Sequence, residues 1–427
     1  MTAVDRALLP ATAGTATDGW LTIGGCHTGD LIERYGSPLF VYDEDDLRGR
    51  CREAVDAFGQ GRVVYATKAF LCRAMARLAH SEGLLLDVAT GGELHVALAA
   101  GVPASDITVH GNNKSAAELI AAMDAGVAYI VVDSFDEMDR IDALVVAGHR
   151  VPRVVVRVTP GVAAHTHAYI ATGQDDSKFG FNLGNGDADR AITRAERSAT
   201  MELVGTHCHI GSNVFDVAGL GRAAEVMATM AAPLDLPMLV LGGGLGVAYV
   251  NGEETPSMRG WADVVLDACA SVGVRSAVTV EPGRALVARA AITLYTVGTI
   301  KHIPGVRTYV AVDGGMSDNP RPVLYGSGYE GGLARAPDAS RPLEARVVGK
   351  HCESGDVILR EARLPADTAV GDVLFTPVTG AYGQSMGSNY NRITRPGVVF
   401  VSGGRSRVVV RRETYDDLLL TDIDDDY

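Results

Sequence analysis

A lysine at the end of an apolar run is the residue of this chain best suited to forming a covalent bond with a ligand. Lys68 follows the apolar run 63–66 in the segment VVYATKAF. A lysine at the end of a buried strand commonly extends its ammonium group into solvent. A lysine held partly out of water loses its proton more easily and can attack a carbonyl carbon. The spacing alone favours the solvent-exposed role, and the covalent role stays open.

Polar or glycine residues also lie at, or just past, the ends of seven further apolar runs. If these runs are parallel strands of a barrel, their carboxyl ends meet at one face, where such barrels place their chemistry. The residues at these positions are Asp87 with TGGE at 90–93, HGNNK at 110–114, Asp133, Arg157, HCHIGS at 207–212, GGGLG at 242–246 and EPGR at 281–284. We therefore expect a binding site at this face.

The glycine-rich segment 242–246 is a candidate phosphate site. Glycine lets backbone N–H groups approach a phosphate closely, and the loops after strands seven and eight of a barrel commonly bind one. The segment does not match GxGxxG, because Tyr249 stands where the last glycine is needed, and no GxxxxGK[ST] occurs. A dinucleotide or P-loop site therefore has no motif here. A tight turn explains the glycines equally well.

The triplet His207-Cys208-His209 suggests a metal site at first sight. In a strand, positions 207 and 209 share one face while 208 points to the other. No third ligand stands at a suitable spacing, so we predict that no metal is bound. A histidine that stacks on a flat ligand, or one satisfied within the core, is the favoured interpretation.

Two segments near the carboxyl end of the chain carry further reactive or charged groups. In GKHCESGD at 349–356, Cys352 and Glu353 stand in a polar glycine loop, which is unusual for an inert cysteine. In DGGMSDNPRPVLY at 313–325, Arg321 and Tyr325 lie four apart around prolines. A rigidly presented arginine is suited to binding a carboxylate.

Apolar runs that alternate with helical patterns must position these residues. The runs are 63–66, 84–88, 107–110, 129–132, 154–158, 203–207, 238–241 and 277–280. Uninterrupted apolar strands alternating with amphipathic helices indicate parallel strands buried on both faces. Their number and span predict an α/β fold of the TIM type, a (β/α)8 barrel. A doubly wound sheet stays open as the competing fold.

After Pro282 the pattern changes to strands with polar turns, which predicts a C-terminal β-sandwich or β-barrel domain. We expect a poorly ordered segment at 1–20 and a segment at 21–43 that joins the β domain or caps the barrel. We expect the barrel at 44–290, the β domain at 291–420 and a solvated acidic tail at 421–427.

Composition excludes several classes of protein. The chain has 427 residues and a formal net charge of -14, without a run of basic residues, which argues against nucleic-acid partners. It has no apolar stretch long enough to cross a membrane and no visible signal peptide. Its six cysteines form no CxxC pair, which is typical of a reduced, cytoplasmic protein. Glycine is in excess, with 50 residues, and many of these glycines lie in strand-end loops and turns such as those described above.

Nine ordered blocks, from about residue 24 to about residue 420, resemble the diaminopimelate decarboxylase family of pyridoxal-phosphate enzymes, which have an alanine-racemase-like barrel. The blocks are YATKAF (65–70), HGNNKS (110–115), HTHAYIATGQDDSKFGF (165–181), HCHIGS (207–212), GGGLGV (242–247), EPGRALVA (281–288), DGGMSDNPRPVLYG (313–326), CESGD (352–356) and GAYGQSMGSNYN (380–391). The lysine and EPGR blocks alone would indicate only the wider decarboxylase group. The other blocks narrow the resemblance to this family.

The resemblance implies a role for each matching residue. Lys68 would hold pyridoxal phosphate covalently, His209 would stack on its ring, and Glu281 would keep its ring nitrogen protonated. The phosphate side would be lined by Ser212, Gly243, Gly244, Gly283 and Arg284, with Asp87 and Tyr382 as further cofactor-binding residues. The substrate would be held by Arg284, Arg321, Tyr325, Glu353 and Tyr382. Cys352 would be the proton donor.

The same resemblance implies what the protein does and with what it assembles. The expected reaction is the decarboxylation of meso-diaminopimelate to L-lysine, the last step of lysine biosynthesis. In this family the Cys-Glu loop completes the site of the neighbouring subunit, so a homodimer is expected. Two alternatives stay open: a decarboxylase of a related D-centred or carrier-tethered amino acid, and a catalytically silent homologue that binds the cofactor.

Overall fold

The computed structural model describes residues 3–162 and 176–423. Three parts of the predictions lie outside the described residues: 1–2 of the N-terminal segment, 165–175 of the block 165–181, and 424–427 of the acidic tail. Secondary structure covers most of the described chain.

The strands are β1 (Gly14–Thr15), β2 (Leu21–Ile23), β3 (Cys26–His27), β4 (Leu39–Asp43), β5 (Val64–Ala66), β6 (Leu85–Val88), β7 (Ile107–Val109), β8 (Tyr129–Val132), β9 (Arg153–Thr159), β10 (Phe181–Asn182), β11 (Glu202–His207), β12 (Met238–Val240), β13 (Ala277–Thr279), β14 (Ala291–Ile303), β15 (Arg307–Val312), β16 (Gly332–Leu333), β17 (Leu343–Val348), β18 (Val357–Leu364), β19 (Val373–Pro377), β20 (Gly397–Ser402) and β21 (Arg405–Val410). The helices are α1 (Thr28–Tyr35), α2 (Glu44–Phe58), α3 (Arg73–Ser81), α4 (Gly91–Ala99), α5 (Ala116–Ala125), α6 (Phe135–Val146), α7 (Asp187–Glu196), α8 (Val217–Ala231), α9 (Met258–Val272), α10 (Arg284–Val287) and α11 (Arg321–Tyr325).

The chain divides into two compact units. The barrel unit comprises Arg50–Val247 and Thr255–Ala285, and the β unit comprises Met1–Gly49, Ala248–Glu254 and Leu286–Tyr427. The short segment Ala248–Glu254 thus lies in the β unit although barrel sequence flanks it on both sides. The predicted barrel, 44–290, is continuous and does not assign this segment to the β domain.

The barrel unit is a (β/α)8 barrel, as the alternation of apolar runs and helices predicts. Its parallel strands follow the order β5-β6-β7-β8-β9-β11-β12-β13, and a parallel bridge from Val63 to Val280 links the first strand to the last. Each predicted run overlaps one of these strands. Buried apolar side chains from neighbouring strands pack together, among them Val131, Val155 and Val240. A doubly wound sheet is excluded because the first and last strands meet.

The β unit contains a sheet with the strand order β18-β17-β15-β14-β4-β20-β21. The long strand β14 connects its parts, because β4 and β19 pair with its first half and β15 pairs with its second half. The predicted segment 21–43 contributes β4 to this sheet. The protein therefore combines the barrel with a separate β domain, as expected.

Residues 3–20 contain regular elements, where their composition predicts poor order. A 3-10 helix spans Arg6–Leu8, and β1 pairs with β2. The carboxylate of Asp43 accepts hydrogen bonds from both the backbone N–H and the hydroxyl of Thr12, at 3.1 and 2.6 Å. These contacts with a buried carboxylate fix the segment, and composition alone carries no sign of them.

No helix in the described parts of the chain is long and apolar enough to cross a membrane.

Candidate active site

Short loops between a barrel strand and a capped helix hold the polar residues at the strand ends. The hydroxyl of Thr90 caps α4, that of Ser115 caps α5 and that of Ser134 caps α6. Ser115 forms a full capping box with Glu118. Because each helix start is fixed by its cap, the residues between strand and helix have little freedom.

The carboxylate of Glu281, just past β13, lies at the centre of the polar residues in the barrel. His110 Nε2 lies 2.9 Å from Glu281 Oε1, and His207 Nε2 lies 3.0 Å from Oε2. The two imidazole rings contact each other edge to face, with centroids 4.9 Å apart. All three side chains are buried. Each oxygen of the carboxylate therefore has its own imidazole partner.

Glu281 remains ionised despite its burial. Burial alone would raise its pKa, but the interactions with His110 and His207 outweigh that effect and hold the pKa well below its ordinary range. The pKa of His110 is raised, since Asp87 and Glu281 outweigh its own burial. Burial lowers the pKa of His207 to about 4, so this ring is neutral. The arrangement is an anion between one imidazole whose neighbours favour its charged form and one neutral imidazole.

Lys68 lies in a 3-10 turn, Thr67–Ala69, directly after β5. Its side chain is exposed, whereas Thr67 and Ala69 are buried. The Thr67 hydroxyl donates to the carbonyl of Asp87 at 2.7 Å and so fixes this turn to the end of β6. Burial raises the pKa of Asp87 to about 6, and the Lys68 charge partly opposes that rise. An accessible amine thus stands beside a buried acid.

The EPGR turn packs against the end of the strand that carries Lys68. The Ala66 N–H donates to the carbonyl of Pro282 at 3.2 Å. A Cβ placed on Gly283 would lie 3.0 Å from the Ala66 carbonyl oxygen. Glycine at this position lets the turn come close to β5. The closure of the barrel thereby brings Glu281 and Lys68 to neighbouring strand ends.

The glycines at 242–244 allow two strand-end loops to pack backbone against backbone. A Cβ on Gly243 would lie 2.2 Å from the carbonyl oxygen of Glu281. A Cβ on Gly244, whose φ is +117°, would lie 2.4 Å from the carbonyl oxygen of Gly211. The Gly243 N–H donates to His209 Nδ1 at 3.2 Å. Close packing is a sufficient reason for these glycines, beside any contact with a phosphate.

Two further predicted residues meet at this end of the barrel. Arg284 Nη2 donates to the Ser212 hydroxyl at 2.9 Å. His209 is half-buried, and its pKa lies well below the ordinary value because of burial and of the charges of Lys68 and Arg157. The barrel unit therefore gathers the predicted residues Lys68, Asp87, His209, Ser212, Gly243, Gly244, Glu281, Gly283 and Arg284 at one end.

A buried ion pair, Lys114 with Glu137, lies next to these residues and was not among the predicted site residues. Lys114 Nζ donates to Glu137 Oε1 at 2.6 Å and to the carbonyls of Gly111 and Val131, each at 2.7 Å. Arg157 is also buried, 4.3 Å from the ring centroid of Phe179. His110 and His207 belong to the same group of missed residues. Their positions at strand ends were visible in the sequence, but their partners were not.

In the β unit, Arg321 is held between aromatic rings. Its guanidinium carbon lies 4.0 Å from the ring centroid of Tyr249, and Nη1 donates to the Tyr329 hydroxyl at 3.0 Å. Arg321 is buried and interacts electrostatically with Tyr382. Tyr325, at the end of α11, is half-buried. Tyr249 and Tyr329 are thus neighbours of a predicted site residue that sequence analysis did not identify.

Cys352 and Glu353 are exposed on the loop between β17 and β18, and the other cysteines are buried. The loop is fixed from within, because the Asp356 carboxylate accepts the N–H groups of Met316 and His351 at 2.7 and 3.0 Å. Asn391 Oδ1 accepts the Cys352 N–H at 3.2 Å. A rigid loop therefore presents a thiol and a carboxylate to solvent.

The residues that come close enough to bind a metal differ from the triplet His207-Cys208-His209 considered in the sequence. Among the described residues, ligand atoms of His110, His207 and Glu281 lie within 4.8 Å of one another. Hydrogen bonds at 2.9 and 3.0 Å already engage Nε2 of both rings and both carboxylate oxygens. The geometry is that of a hydrogen-bonded cluster.

Comparison with known proteins agrees with this arrangement. The pyridoxal-binding domain of the pyridoxal-dependent decarboxylases matches residues 44–288. The diaminopimelate decarboxylase of Mycobacterium tuberculosis is 46% identical over 425 residues, with 95% of each chain covered. That of Bacillus subtilis is 45% identical over 424 residues, again with 95% of each chain covered.

Solved structures give the same result. The diaminopimelate decarboxylase of M. jannaschii, in complex with L-lysine, superposes with a TM-score of 0.88 at 32% identity, covering 97% of this chain and 98% of that one. The Helicobacter pylori enzyme, also with L-lysine, gives 0.85 at 30% identity, with 92% and 98% covered. The resemblance noted in the nine sequence blocks is confirmed. This chain belongs to the pyridoxal-dependent decarboxylases and, within them, to the diaminopimelate decarboxylase family.

Proposed function

We propose that this chain is a carboxy-lyase that uses pyridoxal phosphate to convert meso-diaminopimelate to L-lysine and carbon dioxide, the last step of lysine biosynthesis. One observation carries the proposal: an exposed amine, Lys68, and a buried ionised carboxylate, Glu281, stand at neighbouring strand ends of the barrel. The diaminopimelate decarboxylases cover nearly the whole chain. Three of the similar solved structures hold L-lysine, the product of this reaction.

The side chains at the barrel end fit pyridoxal phosphate. An amine is needed for its aldehyde carbon, an anion for its ring nitrogen and hydrogen-bond donors for its phosphate. The amine is that of Lys68 and the anion is Glu281. The donors are Arg284 and Ser212, which are hydrogen-bonded to each other. In the proposal His209 stacks on the ring and Asp87 binds the cofactor. Gly243, Gly244 and Gly283 line the phosphate side, and Tyr382 contacts both cofactor and substrate.

The bound cofactor supplies an electron sink for the electron pair left when the bond between Cα and the carboxylate breaks. The chain's residues prepare that event. Glu281 holds a proton at the ring nitrogen, because an adjacent anion favours the charged form. Lys68 would hold the cofactor covalently through its amine and would leave the aldehyde carbon accessible to the substrate amine.

Substrate recognition requires cations for carboxylates and an anion for the distal ammonium group. We assign the carboxylates to Arg284 and Arg321, and the ammonium group at the distal stereocentre to Glu353. Tyr325 and Tyr382 complete the substrate-binding set. Tyr249 supports the assignment of Arg321, since a ring 4.0 Å away holds the plane of the guanidinium.

Cys352 is assigned as the residue that delivers a proton to the carbon that has lost carbon dioxide. Its thiol is exposed on a loop with fixed backbone, so its position is set without being buried. A thiol can act as a general acid when it is placed within reach of the carbon. The neighbouring Glu353 then positions the substrate at the same loop.

A homodimer is part of the proposal, with the site of one subunit completed by Cys352 and Glu353 of the partner subunit. The exposure of this rigid loop supports the assignment, since a loop that acts within a neighbouring subunit must face outward. Exposed apolar side chains elsewhere in the β unit offer surface for a subunit contact. They include Tyr415, Leu419, Leu420 and Ile423, which are 61% to 82% exposed.

We also propose that the protein resides in the cytoplasm. None of the six cysteines, all of which lie in the described residues, forms a disulfide. Cysteines without disulfides are typical of a compartment that keeps thiols reduced.

A substrate panel tests the proposed function. The cofactor-loaded protein is incubated with meso-diaminopimelate, L-lysine, L-ornithine and L-arginine, and carbon dioxide is measured. We expect release from meso-diaminopimelate alone. Borohydride reduction followed by peptide mass analysis should place the cofactor on Lys68. Release from ornithine or arginine instead, or no release from any of the four, would refute the proposal.

A further inference from the structure

Two histidines bind the carboxylate of Glu281 through its two oxygens. His110 Nε2 is 2.9 Å from one oxygen, and His207 Nε2 is 3.0 Å from the other. An ionised carboxylate only accepts hydrogen bonds, so both Nε2 atoms must carry hydrogen. The edge-to-face contact of the two rings restricts their rotation. This geometry leaves the Glu281 carboxylate with a single orientation.

We infer that His110 and His207 are positioning residues that together hold Glu281 as an oriented carboxylate for the ring nitrogen of the cofactor. The inference rests on the proposed function, in which Glu281 keeps that nitrogen protonated. Both histidines act through Glu281. Neither needs to touch cofactor or substrate for the role assigned to it.

His207 orients the Glu281 carboxylate without adding a charge beside it. Its Nδ1 is buried and has no hydrogen-bond partner in the part of the chain that the structure describes. A ring that donates through Nε2 and leaves Nδ1 bare is neutral. The low pKa of His207, caused first by burial, agrees with this protonation state. A neutral N–H donor orients the carboxylate at little electrostatic cost.

His110 contributes charge as well as a hydrogen bond. Its Nε2 lies 3.8 Å from Asp87 Oδ1 in addition to its contact with Glu281. These two carboxylates raise the pKa of His110 although the ring is buried. A cation beside Glu281 offsets the burial that would otherwise neutralise it. Without this charge, Glu281 would take up a proton at a higher pH.

Other titratable groups act on Glu281 from the surrounding strands. They are Asp87, Tyr129, Arg157, Cys208 and His209. Arg157 is the cation of this set, and Asp87 is an anion that opposes it. Removing the charge of His110 therefore leaves one cation against one anion around Glu281. We expect its pKa to rise.

The first experiment tests the protonation states without the reaction. Protein labelled with 15N in its histidine rings is examined by NMR without cofactor, and His110→Gln and His207→Gln provide the assignments. We expect His207 as the neutral Nε2–H form and His110 as the doubly protonated form at neutral pH. The pKa of His110 should fall in Glu281→Gln, because one of the two carboxylates that raise it is removed. A His207 ring that carries its hydrogen on Nδ1, or a neutral His110 in the wild type, would overturn the inference.

The second experiment uses the cofactor-loaded enzyme with meso-diaminopimelate. His207→Phe keeps an aromatic ring but loses the donor, and should lower kcat about 10- to 100-fold, the usual cost of removing such a supporting partner. His207→Gln keeps a donor and should recover most of that loss. His110→Gln should move the acid limb of kcat/KM upward by about 1–3 pH units, the effect of one neighbouring charge. The surface control His149→Gln should leave the limb in place.

The outcomes separate this inference from the proposed function. If the wild type releases no carbon dioxide, the proposed function fails, and the NMR states still decide the inference. If the wild type is active while His207→Phe and His110→Gln match it in rate and pH profile, the inference fails alone. A stoichiometric divalent ion, removed by chelators and lost in His207→Gln, would also overturn it, because these atoms would then be metal ligands.

Discussion

Asp87 and Glu281 are carboxylates of the same barrel whose burial has opposite consequences. Burial raises the pKa of Asp87 from 3.8 to about 6, because His110 and Lys68 only partly oppose it. At Glu281 the two histidines outweigh burial, and the pKa falls. Partners, more than depth, thus decide whether the pKa of each buried acid rises or falls. This distinction is invisible to a sequence comparison of residue types.

The raised pKa of Asp87 predicts how stability varies with pH in the cofactor-free protein. The folded state binds the proton more tightly, so the stability contributed by Asp87 is present below its unfolded pKa of 3.8 and is lost as pH rises through about 6. At neutral pH the cost is about 3 kcal/mol, at about 1.4 kcal/mol per pKa unit.

Asp87→Asn should therefore be more stable than the wild type by roughly 1–3 kcal/mol at about pH 8, and by less at about pH 5. Urea unfolding at both pH values measures the difference. Asp124→Asn on the surface serves as control. An advantage of Asp87→Asn that does not grow with pH would show that Asp87 is not the group responsible.

Gly243 predicts a steric effect at the scale of one residue. The Cβ of Gly243→Ala would lie 2.2 Å from a backbone oxygen, which cannot move aside as a flexible side chain can. We expect a loss of about 1–3 kcal/mol in unfolding free energy, the cost of overpacking, together with weaker cofactor binding. Gly184→Ala is the matched control, because nothing lies within 4 Å of its Cβ position. Equal stability of the two variants would contradict the account.

At the scale of elements, the ion pair of Lys114 and Glu137 joins three parts of the barrel. Lys114 follows β7. Its Nζ donates to the carbonyl of Val131 in β8 and to the carboxylate of Glu137 in α6. Burial lowers the pKa of Lys114 and raises that of Glu137, and each partner opposes the other's shift. A buried charge without its partner is costly.

Lys114→Met should lower the free energy of unfolding by about 3–5 kcal/mol. The double variant Lys114→Met with Glu137→Leu should recover a large part of this loss, because no buried charge is left unpaired. Urea unfolding of the single and double variants tests the coupling. Additive losses would mean that the two side chains act independently.

The elements of the barrel were predictable because local patterns specify them. Runs such as 238–241 are apolar throughout, and Ser115 with Glu118 predicts the start of a helix. The hydrogen bonds from His110 and His207 to Glu281 were not predictable. His110 and Glu281, for example, are 171 positions apart and meet only when the barrel closes. The order in residues 3–20 depends likewise on a distant carboxylate, Asp43.

At the scale of the whole molecule, the proposed homodimer would complete each site with residues from two subunits. Apart from Tyr382, the residues assigned to the cofactor lie in the barrel unit, whereas Cys352 and Glu353 lie in the β unit on an exposed loop. The matching of motifs to a family made these residues predictable. The pattern of residue types does not say whether Cys352 and Glu353 act in the site of their own chain or in that of a partner.

Mixing two inactive variants tests this assembly. Lys68→Ala and Cys352→Ala, each inactive or strongly impaired alone, are combined under conditions that allow subunits to exchange. If sites are completed across subunits, half of the dimers are mixed and hold one intact site, so about a quarter of wild-type activity should return. Each variant incubated alone is the control. No recovery, with exchange shown by mass spectrometry, would place the loop and Lys68 of one site in the same chain.

The stoichiometry of the reaction tests the central claim most directly. The cofactor-loaded wild type and Lys68→Ala are incubated with meso-diaminopimelate, and carbon dioxide and L-lysine are measured in the same samples. We expect equal amounts of the two products from the wild type and neither from Lys68→Ala. Consumption of meso-diaminopimelate without carbon dioxide, or unchanged product from Lys68→Ala, would contradict it.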